Sequence, residues 1–220
     1  MAEISAAMVK ELREKTGAGI MDCKRALADS DGDLDKATDL LRKKGLADAA
    51  KKSGRTATEG TVASYIHAGG KIGVMVEVNC ETDFVAMNPD FQAFARDIAM
   101  HVAAANPLFL RREEVEASVL EKEREIYWAQ ARESGKPEGV FPRIVEGRVE
   151  KFFTENCLLE QKFIKEPDKS VQEVLTGMVA RIKENITIRR FVRFQLGEGL
   201  ARKANNFAEE VAAQAGLQQV

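Results

Sequence analysis

Across 220 residues, 33 basic and 35 acidic side chains leave a formal charge of −2, which argues against a dedicated nucleic-acid binder, whose basic excess usually covers one face. A 45% hydrophobic and 31% charged composition describes a packed core under a well-solvated surface, and no apolar run reaches the ~18 residues of a membrane helix. The chain begins Met1-Ala2-Glu3-Ile4 with no basic segment leading into an apolar stretch, so no signal peptide is expected. Cys23, Cys80 and Cys157 form no paired motif and read as reduced thiols of a cytoplasmic protein. Arg42-Lys43-Lys44, Lys51-Lys52, Arg111-Arg112 and Arg189-Arg190 are short, flanked by acids, and read as solvated faces.

Residues 1–50 read as a small helical domain. Ser5 caps a first helix between the staple residues Ile4 and Val9. Thr16-Gly17-Ala18-Gly19 turns the chain into a second helix over 20–28, and Asp33 caps a third with Leu34, Ala37, Leu40 and Leu41 on one face. Gly45 stands where a glycine stop is expected. The character changes over 46–60, and 51–60, with no large apolar residue, reads as a linker.

An α+β core is expected over 61–204. Segments 61–67 and 71–80 form a hairpin about Ala68-Gly69-Gly70, with Val74, Val76 and Val78 alternating as in a half-buried strand. Asn88 and Pro89 open a helix carrying Phe91, Phe94, Ile98 and Val102, which Asn106-Pro107 ends. Residues 113–153 read as a projecting antiparallel helical hairpin with its tip at 134–139; Val115, Val119 and Ile126 mark one arm, Val145, Val149 and Phe152 the other. Ser170 and Glu173 form a capping box before Val174, Met178 and Ile182. Residues 186–196 complete a three-stranded antiparallel sheet, and 205–220 form a closing helical module.

Reactive chemistry is thin. His67 and His101 have no second ligand at i+3 or i+4, and Asp29, Asp31 and Asp33 miss the spacing of a calcium loop. Gly17-Ala18-Gly19 lacks the strand and third glycine of a dinucleotide fingerprint, and no GxxxxGK[ST] loop occurs. Cys80 lies one strand from His67, so a Cys–His pair is conceivable on paper, although a buried strand cysteine is the ordinary reading. No catalytic residue, cofactor or metal is expected. Glu81-Thr82-Asp83-Phe84-Val85 falls between a strand and a helix and reads as a loop. Its phenylalanine either tucks into the core or stands out as an apolar anchor beside a carboxylate; pattern leaves both open.

Three segments carry a resemblance: Thr16-Gly17-Ala18-Gly19 with Met21-Asp22-Cys23-Lys24, then residues 77–85 from Glu77 to Val85, then Arg193-Phe194-Gln195-Leu196-Gly197-Glu198-Gly199. Together they make the chain resemble elongation factor Ts of bacteria and organelles. The resemblance implies a guanine-nucleotide exchange factor that is not an enzyme. It implies elongation factor Tu as partner, in its GDP-bound and nucleotide-free forms, with no nucleic acid and no membrane. Thr82, Asp83, Phe84 and Val85 correspond to the family loop that intrudes near the Mg²⁺ and phosphate site of elongation factor Tu. The ubiquitin-associated-like head of the family docks on the same GTPase, which makes Leu12, Ile20 and Met21 the expected contacts here. The C-terminal module after Asn206 is implied as a further contact. Longer members carry two core subdomains, whereas this chain has material for one, which raises the pairing of two copies into a homodimer. The rival readings are a protein-binding adaptor with the same kind of head, an RNA-binding translation factor, and a cysteine-dependent enzyme.

Overall fold

A computed structural model describes residues 4–200; the closing helical module expected over 205–220 lies outside them. Three helices open the chain: α1 (Ala6–Thr16), α2 (Ile20–Asp29) and α3 (Leu34–Lys52). Ser5 caps α1 by accepting the Met8 N–H at 3.2 Å, and Asp33 caps α3 by accepting the Asp35 and Lys36 N–H groups at 3.0 Å. Gly17 ends α1 in the left-handed region, φ 67°. Leu12, Cys23, Ala26, Leu27, Ala37 and Leu41 form the small core that these helices share.

Gly45 does not stop α3. The helix continues to Lys52, well past the end expected for it. A Cβ on Gly45 would lie 3.1 Å from the Cβ of Ala180, so the missing side chain lets a second helix, Val171–Ile182, cross at close range. What reads as a stop by local propensity is a packing site, and the chain leaves helix only at Ser53.

The sheet comprises β1 (Glu59–Ile66), β2 (Ile72–Cys80) and a late strand, Thr187–Gln195, all antiparallel with β2 in the middle. The β1–β2 turn uses Gly69 and Gly70 at φ 87° and 68°, a conformation glycine adopts without strain. Between β2 and the long helix that follows lies α4 (Asp83–Ala86), a single turn where a loop was expected. Asn88 then caps α5 (Pro89–Ala105), which lays Phe91, Phe94, Ala95, Ile98, Ala99 and Val102 on the inner face of the sheet against Val74, Val76 and Val78. His101 is buried on α5; its Nδ1 accepts the Ile164 N–H at 3.3 Å and its Nε2 faces Gln161 Oε1 at 3.0 Å, which fixes a neutral ring with the proton on Nε2.

The helical hairpin consists of α6 (Ala117–Glu133) and α7 (Phe141–Asn156). It has its own apolar seam, with Phe141, Val145, Val149, Phe152 and Phe153 facing Val119, Leu120 and Tyr127. Ile126 does not join that seam and is 48% exposed, because the arm turns a different stripe inward. At the base Arg112 pairs with Glu150 and Glu160 and sits 4.6 Å from the Phe153 ring centroid. A small ribbon of β3 (Lys162–Phe163) and β4 (Glu166–Ser170) follows; two residues, and a Glu-Pro-Asp-Lys stretch whose one apolar residue is a proline, give no strand period to read. The capping box at Ser170 and Glu173 then opens α8 (Val171–Ile182), and β5 (Thr187–Gln195) completes the sheet.

Among the described residues, the inner face of the sheet is covered and the outer face is bare. Successive cross-strand rows place Ser64, Met75 and Val192 side by side, then Ile66, Gly73 and Phe194. Val62, Ile66, Met75, Val192 and Phe194 are all exposed on it.

Candidate functional site

The exposed turn that follows β2 is built from both ends of the core. Thr82 leaves the strand extended, φ −129° and ψ 152°, and acts as the cap of α4: its Oγ1 accepts the Val85 N–H at 3.4 Å. The same hydroxyl donates to Glu184 Oε1 at 2.7 Å. Cys80, just before, gives its thiol proton to the Thr82 carbonyl at 3.1 Å, and burial pushes that thiol up to about 11. A reactive thiolate is not what this position supplies.

One helical turn sorts the side chains. Val85 packs against the core and Ala86 is buried. Asp83 and Phe84 face outward, and Phe84 is 82% exposed, so it is no part of the core. Met87, three residues on and therefore on the same side of the turn, is 73% exposed beside it. A phenylalanine on a short, well-hydrogen-bonded turn is a costly thing to leave in water unless something covers it.

The head presents a second such spot. Ile20 and Met21, at the start of α2, are 57% and 68% exposed, and Ile20 shares a shallow groove with Val9, Lys10, Arg13 and Glu14 of α1. Leu12 is different. It is fully buried in the head core, so it cannot touch a partner; the reason is its phase on α1, which points inward while Lys10 and Arg13 do not. Its part is to hold the helices that display Ile20 and Met21.

The head is fastened to the rest. Asp22, next to Met21, takes a hydrogen bond from Lys44, the main reason its carboxyl sits below the usual range, and lies 3.6 Å from Lys183 at the end of α8. Lys183 also lies 3.5 Å from Asp48 on α3. The Arg181 side chain passes 3.3 Å from where a Gly17 Cβ would stand and pairs with Asp90 at the start of α5. Gly17 is thus required twice over, by its φ and by its neighbour.

His67 and Cys80 do not meet. Glu59 pairs with Cys80 and Ile66 with Gly73, so His67 and Cys80 sit at opposite ends of the hairpin, roughly 26 Å apart at the usual rise per strand residue. His67 Nδ1 lies 3.1 Å from the Tyr65 hydroxyl instead. Among Asp29, Asp31 and Asp33, the last is spent on capping α3.

Sequence reasoning missed Met87 and Glu184. The first carries a signal, its i+3 spacing from Phe84. The second carries none, since the contact joins residues 102 apart.

A family model described as elongation factor TS matches residues 48–198. The chain is 64% identical to the elongation factor Ts of Geobacter sulfurreducens over 214 residues, which cover 97% of this chain and 99% of that protein. It is 63% identical to that of Desulforamulus reducens over 214 residues, with the same coverage. The elongation factor Ts of Anaeromyxobacter dehalogenans is 65% identical over 218 residues, covering 99% of this chain and 100% of that protein.

Proposed function

Since the chain belongs to the elongation factor Ts family and is therefore a translation elongation factor, we propose that it acts as the guanine-nucleotide exchange factor of elongation factor Tu, with Asp83 and Phe84 as the working element. The observation that carries this is the placement of Phe84: largely exposed, yet mounted on a capped turn anchored to the core. In P-loop GTPases, Mg²⁺ bridges the nucleotide phosphates to Ser/Thr and Asp ligands of the protein. A phenyl ring entering between the elements that carry those ligands displaces them, and Mg²⁺ tolerates little departure from octahedral geometry. Without the ion, phosphate repulsion loosens GDP, and GTP enters the vacated site. Asp83 brings a carboxylate to the same place. Thr82 and Val85 serve from behind, as cap and as anchor. Ile20 and Met21 of the head supply a separate grip on the GTPase.

The test is release of labelled GDP from elongation factor Tu. Substoichiometric amounts of this protein are expected to accelerate release, and added Mg²⁺ is expected to diminish the acceleration, because the ion favours the GDP-bound state of the partner and the factor the open one. Tight binding without release would turn the reading into an adaptor. Release that ignores Mg²⁺ would remove the ion from the mechanism.

The bare outer face of the sheet supports self-association as well. Val62, Ile66, Met75, Val192 and Phe194 lie on one continuous surface with no partner among the described residues, and apolar patches of that kind mark interfaces. Two copies packed face to face about a twofold axis would cover it. Sedimentation at micromolar concentration is expected to show a dimer, and Phe194→Glu a monomer. A wild-type monomer at that concentration would refute the pairing.

A further inference from the structure

The junction between α8 and β5 holds a carboxylate whose contacts all point at the exposed turn. Lys183 ends α8 in the left-handed region, φ 71°, and so turns Glu184 back toward β2. Glu184 Oε2 accepts the backbone N–H of Glu81 at 3.2 Å and of Thr82 at 3.1 Å, while Oε1 accepts the Thr82 hydroxyl at 2.7 Å. Next to it Asn185 returns the grip: its N–H donates to Glu81 Oε1 at 2.6 Å and its side-chain amide donates to the Arg55 carbonyl at 2.7 Å. One carboxylate taking three donors from two adjacent residues defines the direction in which the chain leaves β2.

The consequence passes through a single proton. The Thr82 hydroxyl has one hydrogen, and Glu184 takes it; the oxygen is thereby turned so that its lone pair meets the Val85 N–H, which is the cap of α4. Without Glu184 the hydroxyl is free to rotate, the two backbone donors of residues 81 and 82 lose their acceptor, and a one-turn helix has little else to hold its start. Phe84 sits two residues beyond. We infer that Glu184 is a positioning residue for nucleotide exchange: it touches neither the nucleotide nor the phenyl ring, and it sets where Phe84 points. This rests on the exchange reading above and adds to it a residue that no local pattern marks.

The experiment is a double-mutant cycle on the full chain, read as the rate of labelled GDP release from elongation factor Tu against factor concentration. Glu184→Ala is expected to lower the maximal rate about tenfold, the scale of losing a charge-assisted hydrogen-bond acceptor. The concentration giving half the maximal rate should shift by no more than about twofold, since the loss falls on the step after docking. In a Phe84→Ala background the same change is expected to cost nothing more, because a residue that works through Phe84 has nothing left to position. Additive losses, or a wild-type rate for Glu184→Ala, would overturn the inference. If Glu184→Ala does not fold, Glu184→Gln enters the cycle under the same criteria; its amide oxygen can still accept the two backbone N–H groups, while its NH2 faces the Thr82 hydroxyl and cannot accept that proton. Should Phe84→Ala alone exchange normally, it is the exchange reading that fails. An impaired Phe84→Ala beside an unimpaired Glu184→Ala removes only the positioning role.

Discussion

Phe84→Ala is expected to slow GDP release from elongation factor Tu by about ten- to a hundredfold, the equivalent of the roughly 1.5–3 kcal/mol gained by burying one phenylalanine. Its melting temperature is expected to match the wild type. The two expectations belong together, because a ring that is 82% exposed contributes little to the fold and can contribute its full burial to a complex. Val85 and Ala86, which do face the core, are untouched by the change. Stopped-flow release of labelled GDP and a thermal melt on the same preparation decide it. A wild-type exchange rate, or a large drop in melting temperature, would show that the ring serves the fold rather than the partner. The magnitude also sets a bound. An acceleration far beyond a hundredfold cannot come from this ring alone, so the head has to stabilise the open state of the partner too.

Leu12→Ala should be severe for a different reason. Removing a fully buried leucine costs about 2–5 kcal/mol, and a core of six buried residues cannot absorb such a loss. The outcome is expected to be regional. Amides of α1 and α2 should lose protection in hydrogen exchange, while β2 and the later part of α3, which packs on α8 around Gly45, keep theirs. Affinity for elongation factor Tu should fall with the head, since Ile20 and Met21 lose the platform that displays them. Full protection of α1 in the variant would contradict this, and so would uniform loss across the chain, which would make head and sheet one cooperative unit.

The contrast between Leu12 and Phe84 shows where reading the sequence stops. Caps at Ser5, Asp33, Asn88 and Ser170, the Gly69-Gly70 turn and the alternation along β2 are local chemistry, and each stands where expected. Apolar identity is equally visible, but facing is not. Leu12 is sealed in the head although the resemblance offered it as a contact, and Phe84 stands in solvent although its pattern suited the core as well. Gly45 misleads because its reason is Ala180, 135 positions later in the chain. The turn at Asp83–Ala86 is invisible for a similar cause. Four residues carry no helical period, and the acceptor that organises them is supplied by Glu184.

The unbroken α3 has a further meaning for the two surfaces proposed to grip one partner. Were residues 46–52 a flexible tether, engagement of Ile20 and Met21 would leave Phe84 to search a volume set by the length of a coil, and its effective concentration at the target would fall as that coil grew. Here the helix runs from the head onto α8, Lys183 braces it through Asp48, and Arg181 lies against Gly17 at the end of α1. The search volume shrinks to the play of a braced joint. Whichever surface lands first presents the other in place, so the second grip is added with little loss of chain entropy. Avidity, on this account, is a property of the joint as much as of either surface.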